Sequence, residues 1–255
     1  MTTVLQARNL TKHFGGVAAV RDMSLTVAAG EVLGLIGPNG AGKTTMFDLL
    51  AGSVPPTWGS IHLMGQDITH QPAHRRLAGG MGRTFQIPRP FPALTLLENM
   101  LIARQGQTGE RFWANFTAPT RVAAEEAAAR DKALALLDLV DLRRLAQNPA
   151  RILSGGQRKL LELARVMMAD PRVILLDEPA AGVNPALLEV LMDRIRDINA
   201  AGVTFVLIEH NIDMVSRLCN RIVVMAQGAM LFEGRPDDVA RDPRVIEAYL
   251  GGAAA

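Results

Sequence analysis

Gly37-Pro38-Asn39-Gly40-Ala41-Gly42-Lys43-Thr44, followed by Thr45, reads G-x-x-x-x-G-K-T, the pattern of a phosphate-binding loop. The stretch before it, Glu31-Val32-Leu33-Gly34-Leu35-Ile36, is apolar and suits a buried parallel strand. The stretch after it, Thr45-Met46-Phe47-Asp48-Leu49-Leu50-Ala51, suits a helix with an apolar face. Strand, loop and helix in that order are the context in which the pattern has its chemical meaning.

That chemistry needs these residue types. Glycines let the backbone curl around an anion without Cβ clashes, so that successive N–H groups point inward. A helix starting near Lys43 adds unpaired N–H groups and the positive end of its dipole. Lys43 supplies a full charge to terminal phosphates, and the Thr44 hydroxyl can ligate Mg²⁺. Taken alone, the loop predicts that a nucleoside triphosphate binds and leaves open what its energy does.

Bulk properties narrow the field. With 255 residues the chain can bury a full core, as one large α/β domain or two small ones. Lys+Arg total 27 and Asp+Glu 25, a formal charge of +2, so no basic stripe points to nucleic acid as a partner. The short basic runs His74-Arg75-Arg76 and Arg143-Arg144 read as solvated helix faces. The single cysteine, Cys219, excludes an internal disulfide, and the apolar spacing before it predicts a buried core thiol. Neither a signal-peptide pattern nor a run near the ~20 apolar residues of a membrane span occurs, so a soluble, cytoplasmic chain is expected.

In chain order, Val4–Arg8, Val17–Val20 and Met23–Val27 read as short strands separated by turn signals. Phe14 precedes Gly15-Gly16, and by residue type alone it is expected to pack in the core. Ser60–Met64 is another strand, Pro72–Leu77 a short helix and Met81–Phe85 an extended segment, with Gln86 at its end. Ile87-Pro88-Arg89-Pro90-Phe91-Pro92 cannot be helical, because three prolines remove donors and restrict their neighbours, and it reads as a hinge. Thr95 with Glu98 forms a capping-box signal, Arg111–Phe116 is an aromatic cluster read as local packing, and Arg121–Ala146 is a long amphipathic helical region. Its buried candidates are Leu134, Leu137, Val140 and Leu142. Residues 87–150 therefore read as a helical subdomain inserted into an α/β pattern.

Three later stretches carry chemistry. In Leu153-Ser154-Gly155-Gly156-Gln157, Ser154 can cap a helix while Gly155 and Gly156 permit close approach of an anion, although an ordinary capped helix start would read the same. Val173–Leu176 is a run of four aliphatics ending in Asp177-Glu178, as a central parallel strand would be, and ligand-binding residues collect at the carboxyl ends of such strands. There Asp177 would hold Mg²⁺ and Glu178 would orient or deprotonate an attacking water. Val203–Ile208 is a further buried strand, and His210 follows its end, within reach of a terminal phosphate.

The order of these pieces resembles the ATP-binding-cassette (ABC) ATPases over nearly the whole chain. The resemblance implies one α/β phosphate-loop domain over 1–255: a mainly parallel sheet, an N-terminal antiparallel β subdomain and the inserted helices of 87–150. It implies that Phe14 stacks on adenine and that Gly37–Thr45 cradles the phosphates of ATP. Gln86 would sense Mg²⁺ and couple to a transmembrane partner. Ser154, Gly155, Gly156 and Gln157 form the signature, Asp177 and Glu178 the metal-holding aspartate and catalytic glutamate, and His210 the switch histidine. Two cassettes, a paralogous pair or two copies, would meet head to tail, each phosphate loop completed by Ser154 and Gly156 of the other. Transmembrane permease subunits and, indirectly, a solute-binding protein would complete an assembly on the inner face of the membrane.

Gly82-Arg83-Thr84-Phe85-Gln86, Leu94–Met100, Asp177–Pro185 and Pro243–Gly251 narrow the likeness to ATP-binding subunits of branched-chain amino acid importers. Asn184 departs from the general pattern, which has Asp there. Urea or amide importers, lipopolysaccharide-type exporters and iron–sulfur assembly ATPases share the cassette and stand as alternatives.

Overall fold

The computed structural model describes residues 2–84, 88–108 and 118–251. Its contacts divide the chain into two units, one of residues 1–86, 171–181 and 195–255, the other of 87–170 and 182–194. The inserted unit thus extends past residue 150, to Asp170, and takes in a later piece of chain as well.

In the first unit, β1 (Thr3–Phe14) and β2 (Val17–Ala28) pair antiparallel, and β3 (Val32–Ile36) leads to the phosphate loop and α1 (Lys43–Ala51). Next come β4 (Trp58–Leu63), β5 (Gln66–Asp67), α2 (Ala73–Ala78) and β6 (Met81–Arg83). The antiparallel sheet runs β2-β1-β4-β5. Where three short strands were expected there are two strands of twelve residues. Asn9 and Asp22 adopt left-handed backbone at shifts of register, and Asn9 donates to the Asp22 carboxylate at 2.7 Å. The interruption is a bulge, which bends a strand without ending it.

The second unit holds α3 (Leu96–Ile102), α4 (Pro119–Leu139), 3₁₀ turns at Arg143–Leu145 and Ala150–Ile152, and α5 (Gly155–Met167). The Thr95–Glu98 capping box is present. The long helix stops at Leu139 rather than near Ala146; Leu137, Val140 and Leu142 are buried as expected, whereas Leu134 is half-buried and Ala133 takes the core position. Residues 88–91 have no regular structure, and the fully buried Asn99 side chain receives the Phe91 N–H at 2.8 Å and donates to the Phe91 and Thr95 carbonyls. Lys132 of α4 donates to the Met168 carbonyl at 2.9 Å and pairs with Asp170 at 2.6 Å, which fastens the end of α5 to this unit. The aromatic cluster 111–116 lies outside the described residues.

Back in the first unit, β7 (Val173–Asp177), β8 (Thr204–Ile208), β9 (Arg221–Ala226) and β10 (Ala229–Gly234) complete a second sheet, ordered β10-β9-β3-β8-β7-β6. All its pairs are parallel except β9–β10. Helix α6 (Pro185–Ala200) precedes β8, while α7 (Ile212–Leu218), α8 (Pro236–Arg241) and α9 (Pro243–Gly251) follow it. Every residue of β3, β7 and β8 is buried, which is why these strands read as mainly apolar runs rather than alternating ones. Cys219 is buried, and desolvation, followed by the nearby Glu209 charge, pushes its thiol up to about 12.

Register places the chemistry. Leu35 lies beside Ile208 and Ile208 beside Asp177, so three adjacent strands end at one level. From that level the chain leaves as Gly37 after β3, Glu209-His210 after β8 and Glu178 after β7.

Candidate active site

The phosphate loop is shaped by what surrounds it in its own unit. Gly37 has φ of 151°, and a Cβ there would stand 2.1 Å from the Met225 carbonyl oxygen. Gly42 has φ of 96°, and its Cβ would stand 2.3 Å from the Ala19 oxygen. No side chain fits at either position, and β2 and β9 press the loop into its curl. Gly42 occupies the N-cap of α1 with no side-chain acceptor, and the first turn holds no acidic residue. The first amides of α1 thus lack the side-chain partners that a helix start ordinarily has, and an arrangement of this kind could hold an anion.

Lys43 is buried, and its ammonium donates to the carbonyls of Gly37 at 2.7 Å and Pro38 at 2.9 Å, drawn across its own loop. Burial lowers its pKa, and the charge of Glu178 works in the opposite direction. Thr44 and Asn39 are exposed, Thr45 is half-buried, and Gly40 has open space around it. Tyr249 of α9 lies against the loop, its hydroxyl interacting with the Gly37 backbone, while burial raises its pKa.

At the end of β7, the Asp177 carboxylate receives the Arg83 guanidinium at 3.0 Å. The same guanidinium pairs with Asp48 of α1 at 2.6 Å. Arg83 therefore ties the carboxylate-bearing strand to the phosphate-loop helix. Glu178, the next residue, has left-handed φ of 45°, and its N–H donates to the Ile208 carbonyl at 3.0 Å. That turn aims its carboxylate at His210, whose Nε2 lies 3.2 Å from Glu178 Oε1.

Glu209 is 3% exposed. Its carboxylate accepts the N–H of Ala180 at 2.6 Å on one oxygen, and those of His210 at 2.9 Å and Asn211 at 3.1 Å on the other.

Among the sequence-predicted residues, Lys43, Asp177, Glu178 and His210 share one edge of the parallel sheet. Gln86 lies outside the described residues. Phe14 corrects the expectation of a core residue: it ends β1 52% exposed, with the Lys12 ammonium 5.1 Å from its ring centroid. Arg76 is likewise no solvated residue, being 1% exposed. It donates to the carbonyls of Leu49, Leu50, Thr69 and Gln71 at 2.6–2.9 Å and so satisfies the C-terminal end of α1, while burial brings its pKa down to about 10.

The signature stretch belongs to the second unit. Ser154 caps α5, its hydroxyl accepting the Gln157 N–H at 3.3 Å while Gln157 Oε1 accepts the Ser154 N–H at 3.0 Å. Gly156 is required by packing, since a Cβ would stand 2.2 Å from Leu187 Cδ2. At Gly155 the nearest atom is 3.6 Å away.

Sequence reasoning missed Arg83 as a partner of Asp177, and it missed Glu209 altogether. A charged residue closing a buried, mainly apolar strand was the available signal in both the Asp177 and Glu209 cases, and only the first was used.

The pattern of matches agrees with this geometry. Residues 20–181 match the family model described as ABC transporter, and residues 229–255 match that of the branched-chain amino acid ATP-binding cassette transporter. The chain is 40% identical to the probable branched-chain amino acid transport ATP-binding protein LivG of Archaeoglobus fulgidus, covering 97% of this chain and 95% of that one. It is 40% identical to the high-affinity branched-chain amino acid transport ATP-binding protein BraF of Pseudomonas aeruginosa, over 98% of each. Among solved structures, the ADP conformation of an ATP-binding cassette of an ABC transporter superposes with a TM-score of 0.85 at 32% identity, covering 98% of this chain and all of that one. A dimeric post-hydrolysis cassette bound to ADP and Pi gives 0.74 at 26% identity, over 91% and 98%.

Proposed function

The chain belongs to the ABC transporter family, as one of its ATP-binding cassettes, and from that premise we propose that it powers the import of branched-chain amino acids. It is an ATPase. The observation that carries the mechanism is the convergence of the phosphate loop, Glu178 and His210 at three neighbouring strand ends.

In this reading the uncapped amides of α1 and the Lys43 ammonium bind the β- and γ-phosphates of ATP. The exposed Phe14 ring offers a face to the adenine. Thr44 and Asp177 fit a divalent metal of the Mg²⁺ kind, because both offer hard oxygen and Mg²⁺ is held by few protein ligands beside substrate phosphates. When bound, such an ion neutralises charge on the transferred phosphate. Glu178 orients the attacking water and takes its proton, and His210 holds the Glu178 carboxylate in place and faces the terminal phosphate. Gln86 senses the loaded site.

Ser154, Gly155, Gly156 and Gln157 then serve a second cassette, a copy or a paralogue, whose own signature completes this phosphate loop. ATP binding closes the pair and hydrolysis reopens it. The second unit carries the motion to transmembrane permease subunits, fed by a solute-binding protein, with the cassettes peripheral on the cytoplasmic face of the membrane. No helix among the described residues is long and apolar enough to cross a membrane.

The test is to purify the chain with its membrane subunits and follow ATP hydrolysis as leucine, isoleucine, valine, urea and short amides are supplied with the binding protein. Stimulation by the branched-chain amino acids is expected. Stimulation by urea or amides alone would reassign the transported solute.

A further inference from the structure

We propose that Glu209 is a positioning residue for hydrolysis, its buried carboxylate clamping the segment that carries Glu178 to the segment that carries His210. The inference rests on reading Glu178 and His210 as the hydrolytic pair.

Direct ladder bonding between β7 and β8 ends at this level. Asp177 is the last residue of β7 in register, beside Ile208, and the Glu178 N–H makes one more bond to the Ile208 carbonyl. Beyond that point the two chains turn away from the sheet, Glu178 through a left-handed residue and then Pro179, and nothing in the strand pairing fixes how far apart their side chains stand. Glu209 supplies the missing constraint. Its Oε1 takes the Ala180 N–H, two residues beyond Glu178, and its Oε2 takes the N–H of His210 itself and of Asn211. One carboxylate thereby links both segments, and the Glu178–His210 contact of 3.2 Å joins a residue two before one anchor to a residue that is itself the other.

A plainly structural role explains less. Helix α7 is already capped without Glu209, because Asn211 Oδ1 accepts the Met214 N–H at 3.0 Å. Burying a carboxylate is costly unless it is fully hydrogen-bonded, so an apolar residue packed at the end of β8 would serve the core with less penalty. What an apolar residue cannot do is hold three backbone amides from two loops.

The substitution that isolates this role is Glu209→Gln. It preserves volume, but the amide NH₂ cannot accept, so either the Ala180 side or the His210–Asn211 side of the clamp is lost. The phosphate loop is untouched. The expected result is a fall in kcat of about tenfold or more, since small misplacements of catalytic groups cost this much, with KM for ATP held within about twofold. Hydrogen exchange at the Ala180 amide should accelerate in parallel. Unchanged kcat, or a loss expressed only in KM, would overturn the clamp. Glu178→Gln measured alongside separates the two levels. If Glu178→Gln loses turnover and Glu209→Gln keeps it, the clamp alone fails; if Glu178→Gln keeps turnover, the hydrolytic pair fails and the clamp with it. Should Glu209→Gln not fold, exchange in the unaltered chain still decides: the Ala180 amide should be protected, and exchange at the rate of a free amide would overturn the inference.

Discussion

Two helix starts in this molecule look alike in sequence and are built in opposite ways. Both α1 and α5 have glycines at their starts, and both were read as places where an anion could approach. At α1 the N-cap is Gly42, with no side chain to satisfy the first amides, and neighbouring strands enforce its shape to within the volume of one methyl group. At α5 the N-cap is Ser154, and a complete capping box satisfies the start from within. The first is finished as a binding site and incomplete as a helix. The second is finished as a helix, and the Ser154 side chain and the bare backbone at Gly155 remain exposed. The difference suits a cassette that holds nucleotide by itself and lends its signature to another.

Substitutions at the glycines test this contrast in order of effect. Gly37→Ala should cost at least about 3 kcal/mol in urea unfolding, because a Cβ 2.1 Å from a carbonyl oxygen cannot be relieved by a side-chain rotation. Gly156→Ala should cost roughly 1–3 kcal/mol, since the clash is with the movable end of Leu187. Ser154→Ala removes an N-cap and should cost about 1 kcal/mol by the same measurement. Gly155→Ala should change stability by less than about 1 kcal/mol, Ala being the better helix former in open space. A large loss of stability there would erase the distinction between the two helix starts. A drop in turnover of Gly155→Ala when paired with its partner cassette, at unchanged stability, would sharpen it.

Cys219 gives a pH test of how tightly the core behind the active edge is closed. Its thiol titrates near the ordinary 9.0 when unfolded and at about 12 in the fold. The unfolded chain therefore loses this proton first, so this contribution is fully present below pH 9 and is lost progressively from there toward pH 12. Replacement with a non-titrating residue, as in Cys219→Ala, should therefore make the chain lose less stability between pH 9 and pH 12 than the unaltered chain does, once the cavity penalty measured at pH 7 is subtracted.

How much of this was legible beforehand follows from the range of each interaction. The phosphate loop, the buried strands, the Thr95–Glu98 capping box and the Ser154 cap are local patterns of fewer than ten residues, and they were read with only small errors at the ends, although the reciprocal Gln157 half of the second box was not. Arg76 was misread because its acceptors, the Leu49 and Leu50 carbonyls, are 27 and 26 residues away and have no signature in sequence. Arg83 finds Asp177 across 94 residues, and Glu209 finds Ala180 across 29. By residue type alone Phe14 reads as a core residue, because aromatic residues are usually buried, and only the family resemblance implied an exposed ring; its place at the tip of a hairpin leaves it exposed. The long strands were cut short because a polar pair such as Asn9 and Asp22 reads as a turn when seen one strand at a time, and as a bulge only when the strands are side by side.

In the proposed mechanism the phosphate loop holds the nucleotide and Glu178 is the base for its hydrolysis. The most direct measurement compares ATP affinity and turnover in Glu178→Gln with those of the unaltered chain, because this change removes the base and leaves Lys43 and the α1 amides intact. Affinity within about threefold, together with turnover reduced about a hundredfold or more, is the predicted result. Turnover that survives the substitution would contradict it.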